Sequence, residues 1–398
     1  MIIQGRAPGT DRVVNVSTSG GVITSVEPAD HRTVPDCGGP DLYVCEGFFD
    51  PQVNGYAGVD FNGKDLTGEQ LHHAARSLAA SGVTRFLPTL ITASHERLLR
   101  QLAILADALE NDPLVKTMCP GIHLEGPYIS AEDGPRGVHP RDFIRPPCWD
   151  EVEGLQEACG GRICCMTLAP EREGAIPFIE KAVKNGMVIG LGHAAATEAV
   201  LEDAFRAGAR LSSHLGNAGP AFFPDRDNVI QKQLSMGGLM ASIIVDGIHL
   251  PGGVVKDYIR AKGAERILLT TDSMAGAAAP AGRHTLGDLE VDVSPDDRTA
   301  RLHGTSRLAG STLTMDQAIT NVIRFAGVDL GAAVQMAGRN GSKLFPELGG
   351  GLAPGSPANL VLFDYEEKVT VKETWIRGEK FKKDAAKAAT SHVFNDSC

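Results

Sequence analysis

The chain has 398 residues, 42% of them hydrophobic, 22% charged and only 5% aromatic, with 46 glycines, the balance of a globular protein rich in tight turns. A net charge of -11 excludes a protein that neutralises nucleic-acid phosphates, which needs a clustered excess of Lys and Arg. The opening MIIQGRAPGTDRVV lacks the regions of a signal peptide, and no apolar run reaches the roughly 18 residues of a membrane span, so a soluble, cytoplasmic protein is expected.

Residues 1–46 carry short β-like runs between glycine turns, such as GGVITSVEP, and the same texture returns near the C-terminus in ANLVLFDYE and VKETWIRGEKF. The two ends are expected to pair into one small β-sandwich domain, residues 1–46 plus 347–380. Between them, short apolar runs alternate with helical stretches: 44–52, 83–90, 117–126, 163–170, 187–193, 209–215, 241–247 and 266–273, with helices predicted over 67–81, 94–110, 174–185, 197–207 and 252–262. Parallel βα units read this way, and eight of them make a closed (β/α)8 TIM barrel over residues 47–346. The fold class is therefore α/β, a (β/α)8 TIM barrel with a small β-sandwich domain formed from both chain ends. An amphipathic helix in TLTMDQAITNVIRFAG and another over 330–339 follow the last strand, and residues 381–398 form a C-terminal tail.

The active site of such a barrel lies where the strands end at their C-terminal edge. There the third run ends in His123 and Glu125, the fifth in His193, the sixth in His214 and the eighth in Asp272. Glu125, His193 and His214 supply one carboxylate and two imidazoles, a three-ligand set that leaves a divalent ion such as zinc an open position for water. Asp272 is the candidate general acid/base, and His139, in the loop after the third run, a candidate to polarise a carbonyl oxygen. His123 is either a fourth ligand or an orienter of Glu125. The glycine-rich NGYAGVDFNG, GLGH and DSMAGAAAPAG read mainly as tight βα turns; none matches a nucleotide-binding fingerprint. Eight cysteines without a CxxC pair read as reduced thiols.

FFDPQVNGYAGVDF, HLEGPYIS, GHAAAT, SSHLGNAG, DGIHL, LTTDSMAG, LAGSTLTMDQAI and GLAPGSPANLVLFD together resemble, in order, the motifs of the N-acetylglucosamine-6-phosphate deacetylase family of the amidohydrolases. The resemblance spans nearly the whole chain to about residue 380. It implies hydrolysis of the acetamide of an amino-sugar phosphate, with Glu125, His193 and His214 on the metal, Asp272 as acid/base and His139 steadying the acetyl oxygen. It also implies that Asn217 and Ala218 meet the sugar or phosphate through their amides and that Leu308, opening LAGSTLTMDQAI, lines the substrate. His249 would reach a phosphate from the neighbouring subunit, which makes the protein a homodimer. Where many amidohydrolases carry HxH in the first strand, this chain has Gln52 and Asn54, poor zinc ligands. One ion per subunit is expected, Zn2+ first, with Fe2+, Mn2+ or Co2+ as alternatives, and Gln52 beside its water or the substrate.

Two departures concern the substrate. HLGNAG puts Gly216 before the Asn and lacks the Met of the family pattern, and the segment that follows, PAFFPDRDNVIQKQL, has no REPG; Arg226 becomes the candidate phosphate partner because a guanidinium meets phosphate in a bidentate manner. A related amidohydrolase acting on a different N-acetylated sugar or amide is the second reading. A non-catalytic barrel serving as an interaction scaffold is the third, opposed by the charged groups still gathered at one rim.

Overall fold

The structure is a computed structural model that describes residues 1–10, 12–30, 32–219, 228–349 and 351–381. Its centre is a parallel barrel of β1 (Phe48–Val53), β2 (Val83–Ile91), β3 (Ile122–Glu125), β4 (Ile163–Leu168), β5 (Val188–Leu191), β6 (Leu211–Ser212), β7 (Met240–Ile243) and β8 (Ile267–Leu269), hydrogen-bonded in sequence order. The ring closes at a seam between β1 and β8. One parallel bridge, Val53 with Ser273, crosses it, and the Asn54 amide donates to the Ser273 carbonyl at 2.8 Å. Strands covered on both faces are largely apolar, and all nine positions of β2 are buried, Thr84, Arg85 and Thr89 included.

Ten helices are described: α1 (Gly68–Ala80), α2 (His95–Asn111), α3 (Pro113–Met118), α4 (Trp149–Ala158), α5 (Ala175–Lys184), α6 (Glu198–Arg206), α7 (Val229–Ser235), α8 (Gly252–Lys262), α9 (Met315–Ala326) and α10 (Leu330–Ala337). Each expected helix forms. Local chemistry starts them: Thr67 and Gln70 exchange hydrogen bonds in a capping box at α1, and Thr197 accepts from the Val200 amide at α6. The apolar stripe of α1, Leu71, Ala74, Ala75 and Leu78, faces inward at helical spacing. The third expected run is shorter than its apolar stretch. Asp112 caps α3 and Pro113 opens it, so Thr117 and Met118 are helical and β3 starts only at Ile122.

Both chain ends join one seven-stranded sheet, in the order Glu379–Lys380, Val369–Ile376, Leu360–Tyr365, Cys37–Glu46, Ile2–Arg6, Val13–Ser19, Val22–Pro28. The sheet curls over itself. Its edge at Val22 meets Pro357, and the Ile23 amide donates to the Ser356 carbonyl at 2.9 Å, enclosing a core of Ile3, Val16, Ile23, Val44, Leu360, Leu362 and Trp375. A second addition was not expected: antiparallel strands Gly282–Leu286, Leu289–Val293 and Ala300–Leu302 follow β8 and pack on Met274, Ala275 and Ile91 at the barrel rim. No described helix is long and apolar enough to cross a membrane.

Candidate active site

The barrel interior changes character along its axis. At the N-terminal end, Phe49, Leu87, Cys165, Leu211, Met240 and Leu268 pack with Phe345 into an apolar plug. Two residues further along the same strands, and so facing the same way, stand Thr89, Thr167, Ser213, Ser242 and Thr270, all buried. His123 belongs to this hydroxyl layer. Its Nδ1 donates to the Pro51 carbonyl at 3.0 Å and its Nε2 meets Thr167 Oγ1 at 2.8 Å, which meets Ser213 Oγ at 2.6 Å. Burial pushes its pKa down to about 4, so the ring is neutral, with both nitrogens tied into the layer and neither in the candidate ligand set.

The next turn of the rim carries the titratable groups. Glu125 ends β3, His193 follows β5, His214 follows β6, and one ligand atom from each lies within 4.8 Å of the others. Glu125 Oε1 is 2.9 Å from His193 Nε2 and 2.7 Å from His214 Nε2. Burial alone would raise the Glu125 pKa, but the two imidazoles outweigh it and hold it well below the usual carboxylate range. His193 Nδ1 donates to the Pro135 carbonyl at 2.8 Å, so in the neutral ring Nε2 presents a lone pair to a carboxylate oxygen. Two facing lone pairs call for a proton or a cation between them. The donor set and this polarity fit a divalent transition ion.

GLGH is built for this spot. A Cβ on Gly190 would stand 2.3 Å from Ser213 Oγ, and one on Gly192 would stand 2.8 Å from Thr167 Cγ2; close approach inside the barrel, rather than the turn expected of GLGH, requires these glycines. The backbone at the rim is held out of its ordinary range, with φ of 52° at His193, 31° at His214, 48° at Ala218 and 48° at Asp272. Such residues cost about 1–3 kcal/mol each and gather at functional sites.

Asp272 sits just beyond β8, and its Oδ1 accepts from Gln52 Nε2 at 2.9 Å and Asn54 Nδ2 at 2.7 Å. Burial first, then the nearby Glu125 charge, push its pKa up to about 6. His139 is buried against His193, ring centroids 4.4 Å apart, with Nδ1 2.9 Å from Thr92 Oγ1 and Nε2 3.8 Å from Glu125 Oε2. Its pKa falls to about 3, through burial and the neighbouring imidazoles.

The remaining candidates lie around this centre. The Asn217 amide donates to the His214 carbonyl at 2.9 Å, and the Ala218 side chain stands beside Gly137, which also borders His193. His249 is held by Asp246, ring Nδ1 to Oδ2 at 2.6 Å, near enough to Asp272 of its own chain to lower that carboxyl's pKa. Leu308 bridges to Arg301 at the foot of the three-stranded sheet, and its neighbour Arg307 donates to the Gly137 carbonyl. Arg226 lies outside the described residues. Sequence reasoning did not single out Asp50, Thr92, Thr271 or Ser311, which brace these groups; the one signal was a carboxylate inside the apolar run FFDPQ.

A sequence profile of the Amidohydrolase family matches residues 43–381. The chain is 30% identical over 363 residues to the N-acetylglucosamine-6-phosphate deacetylase of Lysinibacillus sphaericus, covering 90% of this chain and 91% of the relative. To the enzyme of that name from Homo sapiens it is 32% identical over 365 residues, 88% and 85% of the two chains. Its fold matches the N-acetyl-D-glucosamine-6-phosphate deacetylase of Mycobacterium smegmatis, solved in complex with N-acetyl-D-glucosamine-6-phosphate, with a TM-score of 0.87 at 29% identity over 96% of this chain and 99% of that one. A barrel whose metal-capable rim is matched along almost its whole length in this way belongs to the amidohydrolase family and, within it, to the N-acetylglucosamine-6-phosphate deacetylases.

Proposed function

We propose that this chain hydrolyses the acetamide of N-acetylglucosamine 6-phosphate to glucosamine 6-phosphate and acetate, with Asp272 as its acid/base and Glu125, His193 and His214 as its metal ligands. The observation that carries the reading is the convergence of those three ligand groups within 4.8 Å, at the rim that Asp272 shares, in a chain so closely matched to deacetylases. A divalent ion bound there supplies a Lewis acid for the acyl oxygen and acidifies water near neutral pH. Asp272, ionised above about pH 6, accepts the attacking water's proton. As the carbon–nitrogen bond breaks it returns that proton to the leaving amine. Gln52 and Asn54 keep its carboxylate turned inward, and His139 donates toward the acetyl oxygen.

One ion per subunit is the preferred content, Zn2+ before Fe2+, Mn2+ or Co2+, because Gln52 and Asn54 stand where a second ion would need imidazoles. Asn217, Ala218, Leu308, Arg226 and His249 form the sugar and phosphate contacts in this reading, which further takes the protein as a cytoplasmic homodimer. Residues 1–46 with 347–380 are its small domain, and 47–346 its catalytic one. The departures over 216–228 favour a second reading, the same chemistry on another N-acetylated sugar or amide.

The test is acetate release from N-acetylglucosamine 6-phosphate beside unphosphorylated N-acetylglucosamine, before and after metal removal by a chelator. Metal-dependent release from the phosphorylated sugar alone is expected. Release from the unphosphorylated sugar only would select the second reading. Arg226→Ala should raise KM for the phosphorylated substrate far more than for a neutral analogue.

A further inference from the structure

Asp50 takes no part in the chemistry above, yet it is a fully buried carboxylate in the middle of β1. Its Oδ1 accepts from the Gln52 amide at 3.4 Å, Thr270 Oγ1 at 3.1 Å and the Thr271 amide at 3.1 Å, and its Oδ2 from Thr271 Oγ1 at 2.5 Å. All its partners are neutral. Burying a carboxylate among neutral donors is costly, and an apolar side chain of similar size would stabilise the strand more cheaply. Stability therefore does not explain it.

Its partners do. Thr270 and Thr271 are the two residues that lead into Asp272, whose φ of 48° must be imposed from outside. The imposition comes from two sides. Ser311 Oγ donates to the Thr271 carbonyl at 2.5 Å and the Ser311 amide to the Asp272 carbonyl at 2.9 Å, while Asp50 grips Thr271 by amide and hydroxyl across the seam. Asp50, Gln52 and Asn54 alternate along one strand: the first holds the backbone before Asp272, the other two hold its carboxylate. At a seam crossed by one backbone bridge, side chains do the work of a ladder.

We propose that Asp50 is a positioning residue for catalysis, setting the place of Asp272 through Thr271. The inference rests on the reading of Asp272 as acid/base. Misplacing a reacting group by about 1 Å can cost on the order of 100-fold in rate.

The experiment compares metal-loaded Asp50→Leu, Asp50→Asn, Thr271→Val and Asp272→Asn for metal content, melting temperature, kcat and KM. Asp50→Leu is expected to lose roughly 30- to 100-fold in kcat with KM within about threefold and metal retained. Asp50→Asn, which keeps an acceptor oxygen for Thr271, should be rescued to within about fivefold, and Thr271→Val, which removes the Oδ2 contact together with the hydroxyl's acceptance from the Ser273 amide, should lose about tenfold. A merely structural Asp50 would lower the melting temperature and the active fraction but leave kcat per metal-loaded chain intact. If Asp50→Leu, or Thr271→Val should the former not fold, turns over within about twofold of wild type while Asp272→Asn is dead, the positioning inference is overturned alone. If Asp272→Asn itself turns over normally, the acid/base reading falls and takes this inference with it.

Discussion

The two ends of the barrel use the same strands for opposite purposes. The plug of Phe49, Leu87, Cys165, Leu211, Met240, Leu268 and Phe345 has no side chain that titrates near neutral pH and packs tightly, Phe345 lying edge-on to Phe49 at 5.5 Å. A few residues further along, the rim holds buried carboxylates, imidazoles and left-handed backbone, features that commonly cost folding energy. Chemistry and stability are thus separated along the barrel axis by a single layer of hydroxyls, and the plug can offset what the rim consumes.

The sharpest way to break this division is Asp272→Asn, which should lower kcat by about 10²–10⁴-fold with metal content and melting temperature unchanged; steady-state kinetics and metal analysis check it, and a variant that loses the metal as well would mean the rim is one structural unit. Phe345→Ala is the converse. Chemical denaturation should give a loss of about 3–5 kcal/mol, while kcat of the folded fraction stays near wild type. Asp50 tests whether the rim consumes stability in a pH-dependent way. Burial raises its pKa from 3.8 to about 7, so its contribution is fully present below about pH 4 and is lost as pH rises through about 7. Urea unfolding at pH 5 and pH 8 should show Asp50→Asn gaining on wild type at the higher pH; a constant difference would mean the carboxyl does not titrate on folding. The smallest effect belongs to the outer ring: Thr67→Ala, which removes the capping box of α1, should cost about 1 kcal/mol with turnover unchanged.

Much of this was legible in the sequence for one physical reason. Parallel strands covered on both faces are largely apolar, so the point where each run meets Glu125, His193, His214 or Asp272 marks the rim. Elements with little to bury were harder to read. Only Val152 and Leu155 of α4, and Val229 and Gln233 of α7, are buried, too few for a period to emerge. The three-stranded insert carries alternation in HTLGDLEVDV around a Gly287–Asp288 turn, a hairpin signal that the glycine-rich stretch before it obscured. His123 and Asp50 were ambiguous for another reason. A polar residue in an apolar strand declares its face but not its partner, and their partners come from strands far away in sequence: Pro51 and Thr167 for one, Thr270 and Thr271 for the other.

The seam also governs how this protein comes into being. Gln52 and Asp272 are 220 positions apart, and a single bridge joins their strands, so a nascent chain holds seven strands and all three candidate ligands before it owns Asp272, the candidate proton carrier. Closing a loop of that length is slow and entropically opposed. Metal uptake can precede closure, whereas activity cannot; refolding followed by metal content and by acetate release should run on two clocks, the second set by the last strand to dock.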